Sequence, residues 1–120
     1  MSGIEVDDIR DWQGLAVVDE TGAKIGSLEG VYFDTSTDQP AFASVKRGVV
    51  GASKLVFVPL GGARVAPKQV RVLVDKRTAK EAPSIDTDGE LTSELEPTIY
   101  SHYGLPYERG ASGERRLGRR

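Results

Sequence analysis

The chain has 120 residues, no cysteine, 16 Lys+Arg against 18 Asp+Glu, and 38 % hydrophobic residues, a size that supports one domain with one core and excludes a disulfide scaffold. Its longest apolar stretches, such as Leu55–Leu60, fall far short of the roughly 20 residues of a membrane helix. Glu5, Asp7, Asp8 and Asp11 stand where a signal peptide would be basic and then apolar, so no membrane span and a cytoplasmic location are expected.

The net charge of −2 is spread unevenly: residues 1–107 hold 11 basic and 16 acidic groups, residues 108–120 hold 5 and 2. An acidic body lacks the electrostatic footprint of a nucleic-acid reader, and only the basic tail attracts polyanions.

From Trp12 to Asp75 turn chemistry recurs about every ten residues between short β-forming runs, an all-β pattern. Leu15–Asp19 ends in Asp19-Glu20-Thr21-Gly22, where Gly22 suits a tight hairpin. In Lys24–Asp34 the apolar character moves from one parity to the other, which predicts a bulge or bend, and Gly26 and Gly30 favour strong coiling. Ala41–Arg47 alternates as a half-buried strand after Pro40. A Gly-punctuated loop at 48–53 leads to Lys54–Leu60, whose Leu55, Val56, Phe57 and Val58 predict a central strand. Arg64–Ala66 and Gln69–Asp75 complete about six strands. Six short antiparallel strands bury little as a flat sheet, so a small closed or nearly closed barrel is expected.

After residue 77 the pattern changes. Thr78–Ala82 can form at most a helical turn, and Pro83–Glu90 reads as a polar surface linker. A short helix follows through Tyr103, with Ser93 or Glu96 as its cap, Pro97 in its first turn and Gly104 as its stop. The expected organisation is a barrel over 1–77, a linker and short C-terminal helix over 78–107, and a basic disordered tail over 108–120.

Trp12-Gln13-Gly14, Val17-Val18-Asp19, Gly22-Ala23-Lys24-Ile25-Gly26, Val31-Tyr32-Phe33-Asp34, Pro40-Ala41-Phe42-Ala43 and Phe57-Val58-Pro59-Leu60, in that order and spacing, resemble a PRC-barrel domain. The resemblance covers roughly residues 8–77. It implies the small β-barrel seen in the cytoplasmic part of the photosynthetic reaction-centre H subunit and in the C-terminal domain of the ribosome maturation factor, both docking or assembly modules. The continuation from Leu91-Thr92 to His102-Tyr103-Gly104-Leu105 and Tyr107 is similar to stand-alone bacterial, particularly actinobacterial, members. The H subunit's membrane helix and the ribosome factor's additional N-terminal domain have no counterpart here. The resemblance therefore implies binding to protein surfaces and possible homo-oligomers such as a homodimer, and brings no catalytic residues.

The residues themselves point the same way. His102 is the only histidine, and without cysteine the usual nitrogen and sulfur zinc site cannot be built within one chain. It reads as a helix-end residue near the negative dipole pole, with a polar contact point as the functional alternative. Ser36, Ser44 and Ser53 lie in no Gly-x-Ser-x-Gly elbow. Asp7 or Asp8 reads as a cap of the Ile9–Trp12 turn, and Asp34, near Asp38, as a β-turn opener. Asp86, Asp88 and Glu90 lack the Gly offset and terminal Glu of a calcium loop. Gly61-Gly62 and Gly48/Gly51 read as turns, not phosphate loops. No catalytic, cofactor or metal residues are assigned, and no enzyme activity is expected.

Two surfaces remain. Tyr100, Tyr103, Leu105 and Tyr107 are expected to cover an outer face, either of their own barrel or of a neighbouring subunit, and form the candidate interaction surface. Arg115, Arg116, Arg119 and Arg120, with Arg109, are candidate anion contacts. The leading expectation is a non-catalytic interaction or assembly module with a protein partner. The alternative is an RNA- or ribosome-associated factor attached through the tail, against which stands a tail that only aids solubility.

Overall fold

The computed structural model describes residues 12–48, 53–87, 89–107 and 117–119. Strands β1 (Ala16–Val18), β2 (Lys24–Asp34), β3 (Pro40–Arg47), β4 (Lys54–Pro59), β5 (Arg64–Ala66) and β6 (Gln69–Arg71) precede helix α1 (Lys76–Lys80), then β7 (Ser84–Asp86), helix α2 (Leu95–His102) and β8 (Leu117–Arg119). They form one sheet in the order β5-β6-β1-β2-β3-β4-β7, with β8 added to β2.

The hairpins arise where turn chemistry predicts them. Gly22 takes a φ of 88° in the β1–β2 turn, and the Asp19 carboxylate accepts from the Thr21 and Ala23 backbone N–H groups at 2.9 and 3.0 Å. In the β2–β3 turn the Asp34 carboxylate accepts from the Ser36 N–H at 2.8 Å and the Ser36 hydroxyl at 2.6 Å.

The expected irregularity of β2 is present. Pairing with β1 shifts between Val17 and Val18, and pairing with β3 shifts between Leu28 and Gly30. These shifts let Ile25, Leu28, Val31 and Phe33 all enter one core despite their mixed parity. That core joins Val70 of β6 to Val56 and Val58 of β4. Strands so distant in the sheet order share a core only if the sheet curls round it. Gly26 permits the tight curvature: a Cβ there would lie 2.2 Å from the Lys46 carbonyl oxygen. The curled sheet stays open, since no ladder joins β5 to β7 among the described residues.

Four expectations need correction. The barrel is not wholly antiparallel, because β1 pairs with β6 in parallel; hairpin turns specify neighbours in sequence and carry no information about this closing pair. The last barrel strand stops at Arg71 rather than Asp75. Val72 still donates to the Val18 carbonyl, but Asp75 instead caps α1 by accepting from the Thr78 N–H at 2.7 Å.

The segment read as a linker contains β7, paired antiparallel with β4 through Leu55↔Ile85, because Ile85 has apolar surface to pack against the outer layer. The tail read as disordered includes β8, paired antiparallel with β2 through Asp34↔Leu117 and Tyr32↔Arg119, because Leu117 is fully buried there. The rest of 108–120 lies outside the described residues, as do Asp7, Asp8, Gly51 and Asp88.

Candidate interaction surface

The barrel sheet is apolar on both faces where it matters. Alternation sends Val31 and Phe33 of β2, Ala43 and Val45 of β3, and Val56 and Val58 of β4 inward. It sends Tyr32, Phe42 and Phe57 outward. Tyr32 and Phe57 meet edge to face with centroids 5.3 Å apart. The outer trio would be an exposed patch if nothing covered it.

Helix α2 supplies the cover. Ile99 and Tyr100 are buried on this face together with Leu91 and Leu117, and the Phe42 and Tyr100 centroids are 5.1 Å apart. The helix packs on its own sheet, the first of the two arrangements its aromatics allowed.

Polar tips fasten it. The Tyr103 hydroxyl donates to the Phe57 carbonyl at 2.6 Å, and burial pushes the Tyr103 phenol well above its ordinary value. The Tyr107 hydroxyl donates to Oε1 of the buried Glu96 at 2.7 Å. His102 Nε2 donates to the Thr78 carbonyl at 2.8 Å, tying α2 to α1.

Neither expected residue caps the helix. Glu94 is the N-cap, without a side-chain cap bond, and Pro97 falls in the first turn, where its missing N–H costs no helical bond. Gly104 stops the helix as expected, with φ 69°. The Gly104 N–H donates to the Ser101 carbonyl and the Leu105 N–H to the Tyr100 carbonyl, at 3.0 and 2.9 Å, the paired bonds of a Schellman stop. That motif turns Leu105 back toward Tyr100.

Between the helix stop, the start of β3 and the end of β4 lies a cleft of about 360 Å³, whose lining includes Asp34, Pro40, Phe42, Pro59, Gly61, Val74, Tyr100, Tyr103 and Leu105. Leu105 is 39 % exposed at this cleft, and Leu73, packed over Gly62, is 54 % exposed. A more open depression of about 580 Å³ runs beside Glu81, Pro83, Pro97 and His102. There His102 is already engaged by the Thr78 carbonyl.

The four candidate residues therefore divide. Tyr100 is buried in the outer layer, Tyr103 and Tyr107 are half-buried and spend their hydroxyls inside the chain, and Leu105 is exposed. The covering role expected of these residues falls mainly to Tyr100, and Pro40, Pro59 and Val74 join Leu105 at the cleft without having been expected there. Arg109, Arg115, Arg116 and Arg120 lie outside the described residues, while the backbone of Arg119 is paired opposite Tyr32.

The polar groups weighed for chemistry hold the fold together locally. Ser36 and Asp34 form the β2–β3 turn, and the buried Ser44 donates to the Gly30 carbonyl at 3.3 Å. Lys54 pairs with Asp86 and lowers its carboxyl below the ordinary value. Among the described residues, no group of three or more His, Asp or Glu converges as a metal site. Asp19 is tied to more than its own turn. It also accepts from the Thr21 hydroxyl at 2.6 Å and from the Lys76 N–H at 2.9 Å. These hydrogen bonds, the Thr21 hydroxyl foremost, hold its carboxyl down to about 2. The signal was available in Asp19-x-Thr21-x-Ala23, but its link to α1 was not.

Strands β1 to β6, with their Gly-assisted coiling, and most of α1 fall within residues 4–79, which are matched by the family model described as PRC-barrel domain. The chain belongs to the PRC-barrel domain family. The match contains the whole inner core and ends before β7, α2 and β8, so this PRC-barrel protein's outer layer is built largely by chain beyond the family region. No curated protein matches the chain. Among the described residues no helix is long and apolar enough to cross a membrane.

Proposed function

We propose that this PRC-barrel chain is a non-catalytic interaction or assembly module whose contact surface is the Pro40–Pro59–Leu105 cleft, where it receives an apolar side chain of a partner protein. Membership of the family supports an interaction or assembly role in general. The observation that supports this surface is Leu105: the stop of α2 holds it partly in solvent beside a cleft walled by proline and aromatic rings. Covering that side chain and Val74, which lines the same cleft, removes apolar area from water, which favours association. Leu105 is the natural probe because, unlike Tyr100, it contributes little to the chain's own core.

Affinity capture from the native cell, comparing the unaltered chain with a folded Leu105→Asp variant, tests the proposal. A specific protein depleted at least about ten-fold by the substitution, equivalent to about 1.4 kcal/mol, is the expected result. Equal recovery by both chains refutes the assigned surface.

A further inference from the structure

Strand β2 is eleven residues long, and β3 follows one of its edges. The other edge is shared: β1 takes Lys24–Ser27, and β8 takes Tyr32–Asp34. Without β8, the backbone groups of Tyr32–Asp34 on that edge would lack their ladder, and an unpaired edge accepts another strand. The seat also selects what it holds. Leu117 enters the outer apolar layer beside Tyr32 and Phe57. Gly118 pairs with Phe33 at a point where a Cβ would stand 3.4 Å from Thr35 Cγ2, in ordinary van der Waals contact, so this position lies directly against residue 35.

We infer that the Tyr32–Asp34 edge is a strand-docking site that exchanges its resident Leu117–Arg119 with the same segment of a second copy of this chain. Three residues make few ladder bonds, so β8 opens at lower cost than the inner strands. Once it opens, both the vacated edge and the released Leu117 need new partners. A second copy offers both in matching form, and reciprocal exchange preserves every contact of the closed chain. Only the entropy of joining two molecules separates the states, so exchange grows with concentration. The inference stands independently of the cleft reading.

The absence of cysteine makes disulfide trapping clean. Thr35→Cys and Gly118→Cys are placed in separate chains and together in one. The double variant should close on itself, because a side chain at position 118 stands in van der Waals contact with that of position 35. In a mixture of the single variants, a covalent dimer joining positions 35 and 118, identified by mass spectrometry of the linked peptides, is expected. Its yield should rise several-fold between about 10 μM and about 1 mM protein, toward the millimolar effective concentration of a short connection.

Adding Leu117→Asp to the Gly118→Cys chain should reduce the dimer at least about ten-fold, equivalent to about 1.4 kcal/mol. If that variant does not fold, Leu117→Ala gives the same comparison without an added charge. A double variant that closes while the mixture yields no 35–118 dimer overturns exchange. A dimer indifferent to Leu117 does so too, and a double variant that fails to close overturns the seat itself.

Discussion

Ile99→Ala tests whether the outer layer and the barrel form one cooperative unit. Ile99 is fully buried between α2 and the outward aromatics of the sheet. The substitution removes three carbons, a transfer loss of roughly 2.4 kcal/mol at about 0.8 kcal/mol each. The cavity left behind brings the expected loss to about 3 kcal/mol, within the range for large-to-small changes in cores. An eight-residue helix has too little intrinsic stability to hold its place without such packing.

Trp12, the single tryptophan, lies in the inner core on the opposite side of the sheet, so its fluorescence reports the barrel and not the helix. With a urea slope of about 1.5 kcal/mol per M, about 3 kcal/mol lowers the midpoint by about 2 M at unchanged slope. Circular dichroism and Trp12 fluorescence should move together. A Trp12 midpoint within about 0.3 M of the unaltered protein, a change of only about 0.5 kcal/mol at that slope, would refute the coupling and leave α2 as an appendage.

Three further outcomes follow from the same packing. Tyr103→Phe strips the donor from the buried Phe57 carbonyl and should cost about 1–3 kcal/mol in urea unfolding; in a spectroscopic pH titration of the unaltered protein, Tyr103 should resist ionisation because burial raises its pKa. Asp19, held down to about 2 against an ordinary 3.8, contributes stability that is fully present above the unfolded value and is lost as pH falls through the folded one. Melting temperatures measured across that acid window should decline for the unaltered chain, and Asp19→Asn should flatten the decline while starting lower at neutral pH. Gly26→Ala sets a Cβ against the Lys46 carbonyl oxygen, a backbone atom that cannot move aside alone; a loss of about 1–3 kcal/mol is expected, and an unchanged midpoint in urea would show that β2 and β3 can separate there without penalty.

The succession of the barrel strands along the chain, their turns and the irregular course of β2 were readable from the residues because each rests on neighbours in sequence: Asp19 through Gly22, Asp34 with Ser36, and the parity change from Ile25 to Phe33. Gly104 as a helix stop belongs to the same class, since a positive φ is a local demand. Leu55–Val58, an apolar run with no polar face, was legible as a central strand, while the single core expected from the chain's size divides into an inner and an outer cluster. What covers the sheet's outer face was a tertiary decision, and so was the division by which Tyr100 is buried while Leu105 is left exposed.

The parallel pairing of β1 with β6, the recruitment of Ile85 and Leu117 into strands, and the reach of Asp19 to Lys76 also join residues far apart along the chain. Such contacts come from competition among partners for a few unpaired edges and apolar hollows. A three-residue segment such as Leu117–Arg119 has too few residues to display a strand period, and it becomes a strand only because β2 already presents an edge and a hollow that fit it.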